Sequence, residues 1–159
     1  METLEINKAN ALTAHQEANE KGKKLLENLF GKKVFQLDVK SRITSYEDAC
    51  EELEREQIEL SDFNFLPAKD REAAFGFHQI TTIIEAYNEG WQPDWTDSNE
   101  TKYYPWFRLV GSGVGFSYDV YGCGDSHTYV GSRLVLKSSD LAIHVGKTFI
   151  DIYNKFLTL

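Results

Sequence analysis

The run "GCGDSH" brings Cys123, Asp125 and His127 close together in the chain. A thiolate and an imidazole at that spacing are half of a zinc site. The chain has two cysteines and four histidines, and no second Cys/His pair completes the set. Gly122, Gly124, Asp125 and Ser126 are the residues a tight turn requires, so a turn and no metal is expected. The glycine run "GSGVG", Gly111–Gly115, precedes a strand pattern. It therefore lacks the helix N-terminus on which a phosphate-binding loop depends. The acid pairs Glu47/Glu51 and Glu52/Glu56 have helical spacing and read as a solvated face. His78 falls beside an apolar stripe and reads as a hydrogen-bonded structural residue. With no nucleophile elbow and no zinc helix motif, the chain is read as non-enzymatic, with no catalytic residue and no cofactor.

Chemistry of recognition is better represented. Residues 45–100 hold 15 acidic and 3 basic side chains, a net −12 within a whole chain of −8. The flanking segments 1–44 and 101–159 are each +2. The acidic segment repels phosphate backbones and attracts a basic protein surface. Within it, Glu47, Glu51, Glu52, Glu54 and Glu56 are the expected steering charges. Aromatic anchors are expected at Trp91, Trp95, Tyr104 and Trp106, joined by Arg108, Tyr121 and Arg133, because Trp, Tyr and Arg dominate interface hot spots. A plain alternative for the charged pair Asp119 and Arg133 is a cross-strand ion pair.

The elements that must carry these residues are legible in outline. Apolar spacing predicts a helix over Ala9–Phe30, stopped by Gly31 and interrupted at Gly22. Val34–Val39 is a weak strand or an extended link. A second helix begins at Thr44, three residues before Glu47 in capping-box spacing, and buries Tyr46, Ala49, Cys50 and Leu53. Pro67 opens a third helix that runs to Glu89, with Gly90 as its stop. Its stripe is Ala73, Phe77, Ile80, Ile84 and Tyr87. Three strands follow, about Tyr103–Val110, Val114–Tyr121 and Thr128–Lys137, joined by glycine turns. Alternation puts Phe107, Val114, Phe116, Tyr118 and Val120 on an apolar face. Tyr104, Trp106, Arg108, Asp119, Tyr121 and Arg133 share the other. Ser138 or Ser139 caps a last helix over Asp140–Phe156, in which Gly146 lets another element approach closely. The expected architecture is α+β: a three-stranded antiparallel meander with about four helices, the last on the apolar sheet face. One domain over residues 1–159 accommodates it, with residues 1–43 as a helix and link.

No apolar run approaches a membrane span, and "METLEINKAN" is not a secretory leader. Cys50 and Cys123 admit one disulfide, but two thiols of a reducing cytoplasm are the simpler reading.

Several phrases together carry a resemblance: "YNEGWQPDW", "KYYPWF", "SGVGFSY", "VGSRLVLKS" and "GKTFIDIYNKFL". On these the chain resembles an uncharacterised family of small proteins encoded by phages, prophages and mobile regions of Bacteroidetes bacteria. The likeness covers roughly residues 43–159, including "ITSYEDACEEL". The family pattern has a longer, Leu- or Ala-rich third helix, from which "AAFGFHQITTII" departs. The resemblance implies an infected bacterial cytoplasm, or a virion, as the setting. It implies a binding protein that docks a basic host protein, in its sharpest form an inhibitor of an RNA-guided defence nuclease. A virion or assembly component is the alternative, in which the protein self-associates, and a carbohydrate-binding module is a third.

Overall fold

In the computed structural model, which describes residues 8–35, 38–109 and 116–158, the expected N-terminal helix is two helices. They are α1 (Lys8–Glu17) and α2 (Glu20–Phe30). The Asn19 side-chain oxygen accepts the Gly22 N–H at 3.0 Å and caps α2. The break falls at Asn19 because a capping oxygen satisfies an orphan helix donor, whereas Gly22 only weakens helix propensity. A 3₁₀ turn at Lys32–Phe35 and the short α3 (Val39–Arg42) follow, where a strand or link was expected. These elements belong to the first of two compact units, Met1–Arg42. Inside it the His15 ring stacks on Phe35 with centroids 4.2 Å apart, and its Nε2 lies 3.1 Å from Glu27 Oε1.

The second unit is Ile43–Leu159. It contains α4 (Tyr46–Glu52), α5 (Ala68–Asn88), β1 (Lys102–Leu109), β2 (Phe116–Gly124), α6 (Ser139–Thr148) and α7 (Ile150–Leu157). The cap of α4 is Ser45, one residue later than expected. Its hydroxyl accepts the Asp48 N–H, and Asp48 reaches back to the Thr44 N–H and hydroxyl at 2.9 and 2.7 Å. Pro67 opens α5, and Glu89 with Gly90, both at positive φ, end it. Ile80, Ile83, Ile84 and Tyr87 of α5 are fully or almost fully buried, with Ala49 and Cys50 of α4 and Leu141, Ala142 and Val145 of α6. The Tyr87 hydroxyl, in the centre, donates to the Ile43 carbonyl at 2.6 Å. Phe77, expected in the stripe, is 41% exposed and meets Phe156 edge-on. The last helix breaks at Phe149 into α6 and α7, and Ser138 caps α6 through the Leu141 N–H.

Among the described residues the sheet has two strands, β1 antiparallel to β2. The "GSG" turn and Val114 lie outside the described residues. Thr128–Lys137, expected as a third strand, supplies one bridge, Leu136 to Tyr103. Leu136 turns its N–H and carbonyl to Tyr103, and the backbone groups of its two neighbours point to the opposite edge. The Asn88 side chain, buried at the end of α5, donates to the Val135 carbonyl and accepts the Lys137 N–H. Upstream, the Thr128 hydroxyl accepts the Val130 and Gly131 N–H groups, and a 3₁₀ turn at Ser132–Leu134 follows. An N–H spent on a local side chain is not spent on a ladder.

β2 carries a bulge opposite Trp106/Phe107. Trp106 pairs with Val120 and Phe107 with Tyr118, which leaves Asp119 as the extra residue. Beyond a bulge the alternation reverses. Val120 therefore joins Trp106 on one face, and Tyr121 joins Pro105 and Phe107 on the other, the reverse of the simple alternation expected for β2. α6 lies on the Pro105/Tyr118 face. A Cβ at Gly146 would sit 2.6 Å from Tyr118 and 2.7 Å from Pro105, so only glycine permits this approach.

Candidate functional site

The turn after α4 is the first positioning device. Leu53 ends the helix and Glu54 takes a left-handed φ of 53°, uncommon for a residue with a side chain. Arg55 then reaches α5, where Nη1 donates to Glu85 Oε2 at 2.8 Å and Nη2 to Oε1 at 2.5 Å. This is the fork geometry in which a guanidinium matches a carboxylate. The Arg55 hydrogen bonds hold the Glu85 carboxyl below its usual range against the opposing effect of burial; the charges of Arg55 and Arg133 add to the lowering. Arg55 is itself raised, first by its hydrogen bonds to Glu85. Both side chains are about half exposed, 50% and 51%, so the pair stabilises the fold by about 1 kcal/mol or less.

The pair lines a cleft of about 460 Å³. One wall is the α5 face from His78 through Thr82 and Glu85 to Asn88. The other comprises Trp91, Gln92 and Pro93 with Ser132 and Arg133. The Thr81 and Thr82 hydroxyls both donate to the His78 carbonyl at 3.0 Å, which satisfies both donors. His78 Nε2 lies 3.1 Å from the Tyr46 hydroxyl. Burial, then the Arg55 charge, lowers the His78 pKa, and the imidazole is neutral at pH 7. Burial pushes the Tyr46 phenol up to about 12. Arg133 is exposed and has no hydrogen-bond or ion-pair partner of its own among the described residues.

Lys102 fixes the loop that forms the second wall. Its side chain is fully buried at the start of β1. Nζ donates to the Asp97 and Asp125 carbonyls at 3.1 and 3.0 Å and to Glu100 Oε1 at 3.2 Å. A buried ammonium with three acceptors is satisfied. Glu100 in turn accepts the Asp94 N–H at 2.8 Å and the Trp91 Nε1–H at 3.1 Å. The Asp94 N–H is the main cause of the lowered Glu100 pKa, with Lys102 and Trp91 contributing. Trp95 packs over the Lys102 ammonium, 5.4 Å from ring centre to Nζ, and donates its Nε1–H to Ser132 Oγ at 2.7 Å.

The residues expected to bind a partner thus occupy four places. Trp91 and Arg133 line the cleft and Trp95 braces it. Arg55, Glu85 and Lys102 were missed as parts of this site, because nothing in the local sequence distinguishes them from solvated charges, and His78 was read as a structural residue only. Glu47, Glu51, Glu52, Glu54 and Glu56 are all exposed on α4 and the loop after it. The helix itself ends at Glu52, so Glu54 and Glu56 belong to the turn and not to a continuous acidic helix. Trp106 and Arg108 stand exposed on the sheet face away from α6, with Val120 at 48% exposure. Tyr104 is not an exposed anchor: it is 4% exposed, and its ring covers Gly122 so closely that a Cβ there would lie 2.5 Å away. Tyr121 is on the opposite face, edge-on to Tyr103. Asp119 pairs with Arg108 at 3.6 Å and not with Arg133.

Cys50 is buried and Cys123 exposed, and both are free thiols. Among the described residues no three His, Cys, Asp or Glu side chains gather as metal ligands. No helix of those residues is long and apolar enough to cross a membrane. Comparison with family models, curated proteins and solved structures finds no match.

Proposed function

We propose that this protein acts by binding and not by catalysis, and that its partner is a basic protein surface. The observation that carries this reading is the exposed acidic arc of residues 47–62. It holds eight acidic side chains, and its one basic residue, Arg55, is drawn to Glu85 on α5. An arc of one sign accelerates encounter with a surface of the opposite sign and discriminates against polyanions. A defence nuclease of a bacterial host, whose nucleic-acid channel is basic, has the surface chemistry to meet it. That is the role the phage-family resemblance implies.

The test is capture from a Bacteroidetes host lysate, read by mass spectrometry, with the wild type beside a Glu51→Lys, Glu52→Lys, Glu56→Lys triple variant. These positions are exposed, so the variant is expected to fold. A basic protein enriched by the wild type is expected to associate at least tenfold more slowly with the variant, and the difference is expected to shrink in high salt. Equal association rates for the two proteins would overturn the steering role.

The second reading, an assembly component, is favoured by a separate observation. Trp106, 47% exposed, and its strand partner Val120 form an apolar patch on the open sheet face. Light scattering of the pure protein separates the two readings. A defined oligomer lost in Trp106→Ala supports assembly, and a monomer at high concentration opposes it.

A further inference from the structure

We propose that the cleft between α5, the Trp91–Pro93 loop and the Ser132–Arg133 turn binds a small ligand that joins a planar ring to a phosphate, the chemistry of a nucleoside monophosphate. The anion has a defined receiver. Arg133 is exposed at the cleft, and its guanidinium makes no hydrogen bond or ion pair among the described residues, although its charge acts on Glu85. Arg55 spends two N–H groups on Glu85, and a guanidinium carries five. Glu85, held ionised by Arg55, cancels one positive charge, and His78 is neutral. The cleft is therefore left with one net positive charge, in a chain whose overall charge is −8. Guanidinium pairs are the side chains best matched to phosphate oxygens.

The remainder of the cleft suits a ring. Trp91 and Pro93 supply flat apolar wall, and the Trp91 ring is held in place by its Nε1–H bond to Glu100. The Thr81 and Thr82 hydroxyls are occupied by the backbone, which makes that wall less polar than its composition implies. Gln92 provides an amide with both donor and acceptor, able to pair with the edge of a base. The volume, about 460 Å³, falls within the range of small-molecule sites. A nucleic-acid strand is disfavoured at the same place. Arg55 lies between Glu54 and Glu56 in the exposed acidic arc, which repels the further phosphates that a strand would bring. This inference is independent of the docking role proposed for that arc.

The experiment is a calorimetric titration of the full chain with AMP and UMP, with adenosine, with inorganic phosphate and with a ten-nucleotide single-stranded DNA. One of the two nucleotides is expected to bind with a Kd of about 0.1 mM or tighter. Adenosine and phosphate alone are each expected to bind at least tenfold more weakly. Arg133→Ala is expected to weaken the nucleotide at least tenfold. Arg108→Ala, which removes an exposed arginine outside the cleft, is expected to leave binding unchanged. Arg133 is exposed, and a matching circular dichroism spectrum establishes that its variant is folded. The proposal is overturned by any of four results: no saturable heat with either nucleotide, inorganic phosphate binding as tightly as the nucleotide, equal loss in the Arg108 and Arg133 variants, or tighter binding of the DNA strand.

Discussion

At His78 a single titratable ring is coupled to the folded state. Its Nε2 lies 3.1 Å from the Tyr46 hydroxyl, and burial together with the Arg55 charge disfavours the imidazolium. The folded pKa is thus below the unfolded value of about 6.5. Such a group contributes stability that is complete above the unfolded pKa. As pH falls below it, the unfolded chain takes up the proton first, and the contribution is lost progressively down to the folded pKa. Urea midpoints at pH 7.5 and 5.5 check this. The wild type is expected to lose stability on acidification, and His78→Gln, which keeps a polar group near Tyr46 but cannot titrate, is expected to lose less. Equal losses would assign the pH dependence elsewhere. Cys50 and His78 were both legible as structural residues, since each falls on or beside a helical stripe. Arg55 was not, because its partner lies 30 residues away on another helix.

At the scale of elements, close approach is decided by glycines and by a bulge. Gly146 allows α6 to rest on Pro105 and Tyr118 with no room for a methyl group. Replacing it by alanine gains about 1 kcal/mol of helix propensity. The same change forces contacts below 3 Å with two ring side chains, an overpacking that costs about 1–3 kcal/mol. The net expectation for Gly146→Ala is a loss of about 1 kcal/mol, seen as a Tm lowered by a few degrees. An unchanged or higher Tm would mean that α6 shifts outward at little cost. The cap of α6 at Ser138, the start of α5 at Pro67 and its stop at Glu89–Gly90 were legible because their signals are local. The face of Tyr121 was not, because alternation assumes an unbroken strand and the bulge at Asp119 breaks it.

For the whole molecule, the division into Met1–Arg42 and Ile43–Leu159 has a direct consequence. The second unit has its own core, in which Ile80, Ile83, Tyr87, Leu136, Ala142 and Val145 are all at or near zero exposure. Residues 43–159 expressed alone are therefore expected to unfold in one cooperative transition, measured by urea titration followed by tryptophan fluorescence. All three tryptophans, Trp91, Trp95 and Trp106, lie in this unit. A broad, non-cooperative transition would show that the unit does not fold by itself.

The sequence by itself determined the α+β class, the outer ends of the longer helical stretches but not the breaks at Asn19 and Phe149, and the segregation of negative charge into the middle third. Each depends on residues within a few positions of one another, or on composition alone. Tertiary structure decided the rest. The third expected strand supplies one bridge in the described residues, and its opposite edge is held by Asn88, 47 residues upstream of Val135. Tyr104 is buried because Gly122 across the sheet leaves space for its ring. The cleft exists because Arg55, Glu85, Trp91 and Arg133, each ordinary in its own neighbourhood, are brought together by packing. Hydrogen bonds and charges act over a few ångströms in space. Local sequence reports such proximity only along the chain.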